Sequence, residues 1–243
     1  MTAGIRIAMW SGPRNISTAM MRSFGNRPDT YVSDEPFYAH YLAYTGKEHP
    51  GREEIIAHHE SQWEKVAKDL AGPIPQGKAV WYQKHMSHHL MAHMDREWMV
   101  GLRHAFLIRS PREMLASLAQ VLEEPQLVDT GLPQQVELYE WFEARTGERA
   151  PVIDARDVLE HPRHVLEQLC AAVGIEFCED MLHWPAGPRD TDGIWAKYWY
   201  DAVERSTGFA PYKPSTARVP PRLKPLLRQC EPLYARLHER RLT

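Results

Sequence analysis

Short apolar runs alternate with longer helical patterns through residues 5–173, and this alternation constrains the fold more than any other feature of the chain. The apolar runs predict strands at 5–10, 30–33, 79–84, 105–109 and 151–154. Parallel strands need a crossover between them, and that crossover is usually a helix. The sequence therefore predicts an α/β fold, with a parallel β-sheet of about five strands flanked by helices.

The helical segments are predicted from apolar residues spaced three and four positions apart. They lie at 17–24, 37–44, 53–70, 88–95, 112–122, 133–145 and 161–173, with a last helix from near Pro221. Ser17 or Thr18 is the expected cap of the first helix. An apolar face of the helical C-terminal part is expected to pack on the core. Its members are Leu223, Leu226, Leu227 and Leu233.

Length and composition indicate a single domain over residues 1–243. The chain has 243 residues, 43% of them hydrophobic, and no Ser/Gly linker divides it. A net charge of −3, with acids and bases interspersed, disfavours nucleic acid as a partner. Three scattered cysteines suit a reducing cytoplasm, and no apolar run approaches the length of a membrane span. We expect a cytoplasmic protein without membrane contact, with a homodimer left open.

The first predicted strand ends in a Gly-containing turn that leads into a helix, in the sequence SGPRNIST of residues 11–18. Such turns hold phosphate in α/β proteins, because free N–H groups and the positive end of the helix dipole point at one place. A Walker A motif would need Gly and Lys where Ser17 and Thr18 stand. Arg14 and two hydroxyls offer a cation and donors instead. The alternative is an ordinary turn with a solvated arginine.

A second strand also ends in a cation, in the sequence AFLIRSPREMLASL. Pro111 stands near the start of the following helix. Ser117 lies eight residues beyond Arg109, and it meets the same ligand only if the helix folds back beside the strand. Two basic strand ends in one parallel sheet predict a ligand with two separated anionic groups.

These stretches resemble the sulfotransferases that use 3′-phosphoadenosine 5′-phosphosulfate (PAPS) as donor. The family's phosphosulfate loop, G-x-P-R-S-G-[ST]-[ST], is matched at Pro13, Arg14, Ser17 and Thr18, and it differs at Ser11 and at Asn15 and Ile16. Arg109 and Ser117 match the family's R-x-P-R-x3-x-S pattern. The stretch VIDARDVLEHPRHVLEQLCAAVGI is similar to a third family segment, so the resemblance covers about residues 5–177. It implies a fold like that of P-loop NTPases.

The resemblance also implies roles for these residues in donor binding. Arg14 would neutralise the bridging oxygen of the leaving nucleotide. Ser17, Thr18 and the helix N-terminus would hold the 5′-phosphate, while Arg109 and Ser117 would hold the 3′-phosphate. Pro13 and Asn15 would belong to the same donor-binding loop. The sequence GPRDTDGIW resembles a further donor-binding loop and would add Arg189 and Gly193. The alternative for that stretch is a surface loop whose Trp195, Tyr198 and Trp199 pack.

Proton transfer from the acceptor needs a base, and Glu35 in VSDEPFYAHYL is the candidate. Nearby cations are expected to keep its pKa low, and the alternative is a carboxylate that caps a helix. Lys84 matches the lysine of the family's K-x-P segment. His85, beside Lys84, is a second candidate base or acceptor contact.

A metal site is the remaining alternative for the histidine-rich stretch YQKHMSHHLMAH. His85, His89 and His93 recur every four residues and would share one face of a helix, which suits zinc. No H-E-x-x-H motif accompanies them, and no acidic cluster suits magnesium. We predict that the protein uses no metal.

Together these features predict transfer of a sulfuryl group from PAPS to a hydroxyl or amine of a small-molecule acceptor. Two alternatives stay open: an ATP-dependent kinase or other P-loop phosphotransferase, and a catalytically silent domain that binds adenosine 3′,5′-bisphosphate (PAP). The aromatic side chains expected near the acceptor suit an apolar molecule or a sugar. They are Tyr38, Tyr41, Tyr44 and Trp63.

Overall fold

A computed structural model describes residues 4–214 and 218–243 of the chain. All five predicted strands are confirmed, and they pair in parallel in the order β2-β3-β1-β4-β5. Their bounds are β1 (Ile5–Ser11), β2 (Thr30–Asp34), β3 (Val80–Met86), β4 (Arg103–Ile108) and β5 (Val152–Asp154). The parallel pairing directs every carboxyl end to one edge of the sheet, so the loops after β1 to β4 meet there.

Helices connect and cover the strands. They are α1 (Ser17–Gly25), α2 (Tyr38–Thr45), α3 (Arg52–His58), α4 (Trp63–Ala71), α5 (Pro111–Leu118), α6 (Leu132–Thr146), α7 (Ala155–Glu160), α8 (Pro162–Val173), α9 (Ala196–Trp199), α10 (Asp201–Glu204) and α11 (Lys224–His238). Single turns of 3-10 helix occur at Pro75–Gly77, Ser87–His89, Glu97–Met99, Leu127–Thr130, Glu179–Leu182 and Pro221–Leu223. Within the described residues, none of these helices combines the length and apolarity that crossing a membrane requires.

The central strand β1 shows why the apolar runs are continuous rather than alternating. Ile7 and Met9 lie in the core beneath α1, α2, α7 and α8. Ala8 and Trp10 lie in the core on the other face, with side chains of α4, α6 and α11. Because both faces of the sheet are covered, successive side chains are apolar even though they point in opposite directions.

The C-terminal helices follow the predicted pattern. Four apolar side chains of α8 are buried, namely Val165, Leu166, Leu169 and Val173. Leu223, Leu226 and Leu227 are also buried, and they form a third cluster with α5. Leu233 packs against the edge of this cluster. The prediction that this apolar face lies on the core is therefore confirmed.

Three local predictions are wrong. Residues 53–70 form two helices, because the chain is extended at His59 (φ −121°, ψ 152°). Residues 88–95 do not form the expected helix. The single 3-10 turn Ser87–His89 stands there instead, since β3 continues to Met86 and Leu90 is again extended. Neither Ser17 nor Thr18 caps α1; Ile16 is the capping position.

Candidate active site

A cavity of about 800 Å³ opens at the edge of the sheet where the carboxyl ends of the strands meet. Most of the predicted site residues line it, namely Pro13, Arg14, Asn15, Ser17, Thr18, Glu35, Lys84, Arg109 and Ser117. A second, more open groove of about 870 Å³ runs beside the start of α8 and is lined by none of them. The chemistry expected from the sequence is therefore concentrated in the first cavity.

The turn between β1 and α1 is held from two sides. A Cβ at Gly12 would stand 2.5 Å from the carbonyl oxygen of Thr130, so only glycine allows this close approach. Asn15 donates from Nδ2 to the carbonyl oxygen of Leu107 at the end of β4 (3.1 Å). Its Oδ1 accepts from the N–H of Ile16 (2.8 Å), which places a side-chain contact just before the first turn of α1. Asn15 thus joins the turn to the neighbouring strand.

Arg14 has a positive φ of 55°, a conformation that a side chain other than glycine's disfavours. Strain of this kind persists only where the surrounding structure imposes it, and it is frequent at functional sites. The carbonyl oxygen of Arg14 accepts a 2.6 Å hydrogen bond from Nη1 of Arg109. The two predicted cationic strand ends are therefore in direct contact.

Ser117 completes this basic corner of the cavity. Its Oγ accepts a 2.9 Å hydrogen bond from Nε of Arg14. Burial lowers the pKa of Arg14, and the nearby charge of Arg109 lowers it further. Arg109 has one acidic partner, Glu113, 3.2 Å from its Nε, and Glu113 in turn accepts from the hydroxyl of Tyr212 (2.6 Å). Two cations held together with hydroxyls nearby form a site for an anion.

Ser17 and Thr18 occupy the first positions of α1 and also line the cavity. The amide groups at the start of a helix have no partner within the helix. These amides and hydroxyls therefore stand beside the arginines, at the positive end of the helix dipole.

The opposite side of the cavity holds a buried ion cluster. Nζ of Lys84, which is 1% exposed, donates to Oδ1 of Asp34 (2.8 Å) and to Oε1 of Glu35 (2.5 Å). It also donates to the hydroxyl oxygen of Tyr200 (2.8 Å), and that hydroxyl lies 2.7 Å from Oδ2 of Asp34. The N–H of Gly193 donates to the same Oδ2 (3.1 Å). Both oxygens of Asp34 are thus engaged, whereas Oε2 of Glu35 has no hydrogen-bond partner in the part of the chain that the structure describes.

This cluster holds one cation and two carboxylates. Their charges, together with burial, shift the pKa values of Lys84 and Glu35. Burial alone would lower the pKa of Lys84, but Asp34 and Glu35 raise it well above its ordinary value. Burial raises the pKa of Glu35, and the charge of Asp34 raises it further, against the opposing effect of Lys84. The expectation of a low pKa for Glu35 is therefore wrong. Glu35 also has a positive φ of 41°.

His85 lies outside the cavity. It pairs in register with Trp10 and stacks on that indole, with ring centroids 4.3 Å apart. Successive residues of a strand point to opposite faces, so His85 lies across the sheet from Lys84. Burial lowers the pKa of His85 to about 3. We assign His85 no contact with an acceptor, and its burial among aromatic rings accounts for its position.

Arg189 and Gly193 do not line the cavity either. The guanidinium of Arg189 donates to the carbonyl oxygen of Pro185 (2.6 Å), and its N–H donates to the carboxylate of Asp192 (2.8 Å). Asp192 forms a buried ion pair with Arg22 of α1. This loop is therefore anchored to α1, and Gly193 contacts the ion cluster by donating to Asp34.

Tyr38 and Tyr41 line the cavity as expected, whereas Tyr44 and Trp63 do not. Further lining residues are His88 and His89, which were not expected in the cavity, and Trp199 and Tyr200. The histidine-rich stretch is a usable signal, although the spacing of His85, His89 and His93 predicts one face of a helix and not a cavity wall. No local pattern marks Tyr200, because its partner Asp34 lies 166 positions away.

The histidines, cysteines and carboxylates of residues 4–214 and 218–243 do not form a metal site. No group of three or more is placed to hold an ion there. His93 instead contacts His40, with 3.1 Å between their Nε2 atoms. His85, His89 and His93 do not share a face, since the helix expected to align them does not form.

Residues 5–241 match the family model described as a sulfotransferase domain. The chain belongs to the sulfotransferase family. This match spans the sheet, both sides of the cavity and α11. The domain therefore includes every residue placed above in the basic corner and the ion cluster.

Solved structures support the fold of this sulfotransferase. The sulfotransferase domain of the Synechococcus PCC 7002 olefin synthase has a TM-score of 0.52 and 16% identity, covering 98% of this chain and 95% of its own. A sulfotransferase from Alicyclobacillus acidocaldarius has a TM-score of 0.52 and 13% identity, covering 98% and 96%. At these identities the likeness concerns the fold.

Two curated relatives of this sulfotransferase come from Arabidopsis thaliana. They are branched-chain-amino-acid aminotransferase-like proteins 1 and 2, which are 38% and 36% identical over 228 residues. The aligned region covers 94% of this chain and 40% of each relative. The chain thus spans about two fifths of the length of these relatives.

Proposed function

We propose that this sulfotransferase moves a sulfuryl group from PAPS to a hydroxyl or amine of a small-molecule acceptor. The observation that carries the proposal is the arrangement of one cavity, with the basic corner of Arg14, Arg109 and Ser117 on one side and Glu35 with Lys84 on the other. A doubly anionic donor suits the first side. An acceptor that loses a proton suits the second.

The donor is proposed to place its two charged ends on the basic corner. Arg109 and Ser117 would bind the 3′-phosphate, which competes well for an arginine whose one carboxylate partner among the described residues is Glu113. Ser17, Thr18 and the free amides of α1 would bind the 5′-phosphate. Arg14 would then lie at the bridging oxygen, where negative charge builds as the S–O bond breaks.

Fixed cations are proposed to be sufficient for this chemistry. A sulfate monoester carries less negative charge than a phosphate, so less neutralisation is needed when the group leaves. Arg14 and Lys84 supply positive charge without a metal, and the absence of a metal requirement stays a prediction. The acceptor would approach from the side of Glu35, which is the candidate for handling its proton.

The cavity volume favours a small acceptor. About 800 Å³ must hold both the nucleotide and the reacting part of the acceptor, and cavities of roughly 300–1,000 Å³ are typical of small-molecule sites. The acceptor side is lined by the aromatic rings of Tyr38, Tyr41 and Trp199. Such walls suit an apolar molecule or a sugar ring equally.

A thermal-shift experiment tests the donor. We expect PAP and PAPS to raise the melting temperature, because each would neutralise the two arginines, while ATP with magnesium has a smaller effect. A larger shift with ATP and magnesium would favour the kinase alternative. An acceptor panel with PAPS then separates an active enzyme from a silent PAP-binding domain.

A further inference from the structure

His89 occupies a position beside Glu35 that the sequence did not reveal. Its imidazole lies between two rings of α2, with centroids 4.8 Å from Tyr38 and 4.6 Å from Tyr41. The ring of Tyr38 is nearly parallel to it, at 4°. His89 is 3% exposed and lines the cavity. The two tyrosines therefore fix the plane of the imidazole.

The position of Nδ1 distinguishes it from the other ring nitrogen of His89. Nδ1 is buried, has no hydrogen-bond partner among the described residues, and lies 4.0 Å from Oε2 of Glu35. The other oxygen, Oε1, is already bound to Lys84. Catalytic hydrogen bonds are often long before the substrate binds and shorten in the complex. The free oxygen of Glu35 and the unpartnered Nδ1 of His89 are therefore suited to each other.

A hydrogen bond between these two atoms would fix which nitrogen can act as a base. An ionised carboxylate can only accept, so the proton must reside on Nδ1 when it faces Oε2. Nε2 is then unprotonated. A histidine whose Nδ1–H is oriented by a carboxylate has the arrangement in which Nε2 removes a proton from a nucleophile.

We propose that His89 takes the proton of the acceptor on Nε2, and that Glu35 orients the ring and stabilises its charged form. This inference rests on the proposed function. The acceptor oxygen forms a bond to sulfur as the bond from sulfur to the bridging oxygen breaks. That electron pair stays on the phosphate of PAP, beside Arg14. The acceptor proton moves to Nε2 of His89 and then to solvent.

The surroundings of His89 favour its neutral form, which is the form a base requires. Burial lowers its pKa well below the ordinary value, and several neighbouring groups act in the same direction. These neighbours are His88, His49, Lys84 and His85. Glu35 is the carboxylate that faces the ring, so it is the group able to stabilise the imidazolium when the proton arrives.

The simpler alternative is that Glu35 removes the proton directly, with His89 serving only as part of the wall. The two alternatives differ in the tautomer of His89 and in how substitutions combine. If His89 and Glu35 act as one unit, removing both costs little more than removing one. If Glu35 acts alone, the His89 substitution has a small effect that adds to the other.

The first measurement needs no acceptor. We would record imidazole ¹⁵N chemical shifts of the full chain with saturating PAP, after confirming by thermal shift that PAP binds. Protonated Nδ1 and unprotonated Nε2 are expected for His89, with that preference reduced in Glu35→Gln. A protonated Nε2 in the PAP complex would overturn the inference, while PAP binding itself would still support the proposed function.

The second measurement uses water in place of the acceptor and follows hydrolysis of PAPS to PAP and sulfate. We expect His89→Ala, Glu35→Gln and the double variant each to lose roughly 10²–10⁴-fold in rate, with PAP binding retained. Added imidazole should restore part of the rate of His89→Ala by entering the space between the two tyrosines, but not that of Glu35→Gln. His93→Ala, which alters an exposed histidine outside the cavity, is the matched control. The role of His89 would be overturned if the rate losses of the two single variants multiplied in the double variant. It would also be overturned if imidazole restored none of the rate of His89→Ala.

Discussion

Nε of Arg14 donates a 2.9 Å hydrogen bond to Oγ of Ser117, although the two residues lie 103 positions apart in the sequence. The contact joins the turn after β1 to the helix after β4. Residues that were expected to serve two separate phosphates therefore form one continuous basic surface. A ligand on this surface touches both elements, so loss of any one cation affects the other.

Replacement of Arg109 by alanine tests the assignment of the 3′-phosphate. The unaltered protein should bind PAP far better than 5′-AMP, and Arg109→Ala should erase most of that preference. Loss of a charge-assisted contact is worth about 1.5–3 kcal/mol, or roughly ten- to a hundredfold in affinity. Calorimetric titration with both nucleotides measures the difference.

Arg112→Ala is the control for this experiment. Arg112 lies three residues after Arg109, in α5, but its exposed side chain pairs with Glu231 and does not line the cavity. It should leave both affinities unchanged. Equal binding of PAP and 5′-AMP by the unaltered protein would contradict the assignment of the 3′-phosphate.

Replacement of Arg14 separates chemistry from binding. Arg14→Ala should lower turnover by roughly 10²–10³-fold, as the loss of a group that stabilises transition-state charge does. Its effect on PAP affinity should be smaller, because Arg109 and Ser117 remain. Single-turnover rates with PAPS measure the effect on turnover, and a titration with PAP measures the effect on affinity. Normal turnover in Arg14→Ala would leave Arg14 as a solvated residue of an ordinary turn.

Replacement of Glu35 tests the carboxylate beside the acceptor. Glu35→Gln keeps the size and the hydrogen-bonding reach of the side chain, and should cost roughly 10²–10⁴-fold in turnover with PAP binding nearly intact. Burial raises the pKa of Glu35, so activity of the unaltered enzyme should fall with decreasing pH through a midpoint above the ordinary value of about 4.3. The pH dependence of kcat/KM reports this midpoint. A midpoint at or below the ordinary value would show that Glu35 does not set the acidic limb.

Replacement of Lys84 tests the buried ion cluster through stability. Lys84→Met leaves two buried carboxylates without their cation and should lower the free energy of unfolding by about 3–5 kcal/mol in urea at neutral pH. Burial already raises the pKa of Glu35, and the variant removes the opposing charge of Lys84, so the pKa of Glu35 rises further. Protonation of the folded state then restores stability, so the loss should shrink as pH falls.

Lys197→Met provides the comparison for Lys84. Its exposed ion pair with Glu54 is screened by solvent and should contribute little to stability. If Lys84→Met and Lys197→Met lower the free energy of unfolding by equally small amounts, the cluster around Lys84 contributes no more to stability than a surface ion pair does. The double variant Asp34→Asn with Lys84→Met should recover part of the stability that Lys84→Met loses. It leaves one buried carboxylate without a cation instead of two.

Much of the fold and of the donor side could be predicted from the sequence because the signals are local. Strand and helix periodicity is expressed within a dozen residues, and all five strands lie where the apolar runs predict them. The spacing from Arg109 to Ser117 corresponds to a strand end and the helix that follows it, so a short pattern suffices to bring both to the cavity. The helix boundaries were less well predicted, because extended residues such as His59 interrupt a continuous apolar pattern.

The acceptor side was decided by the tertiary structure. Lys84 and His85 are adjacent in sequence, yet the alternation of a strand sends one into the ion cluster and the other against Trp10. Tyr200 reaches Asp34 across 166 positions, and His89 meets Glu35 only because α2 folds over it. The direction of the pKa shift of Glu35 depends on burial and on the balance of one cation between two carboxylates. The sequence alone determines which groups are available, whereas burial and long-range packing determine which of them meet and in what charge state.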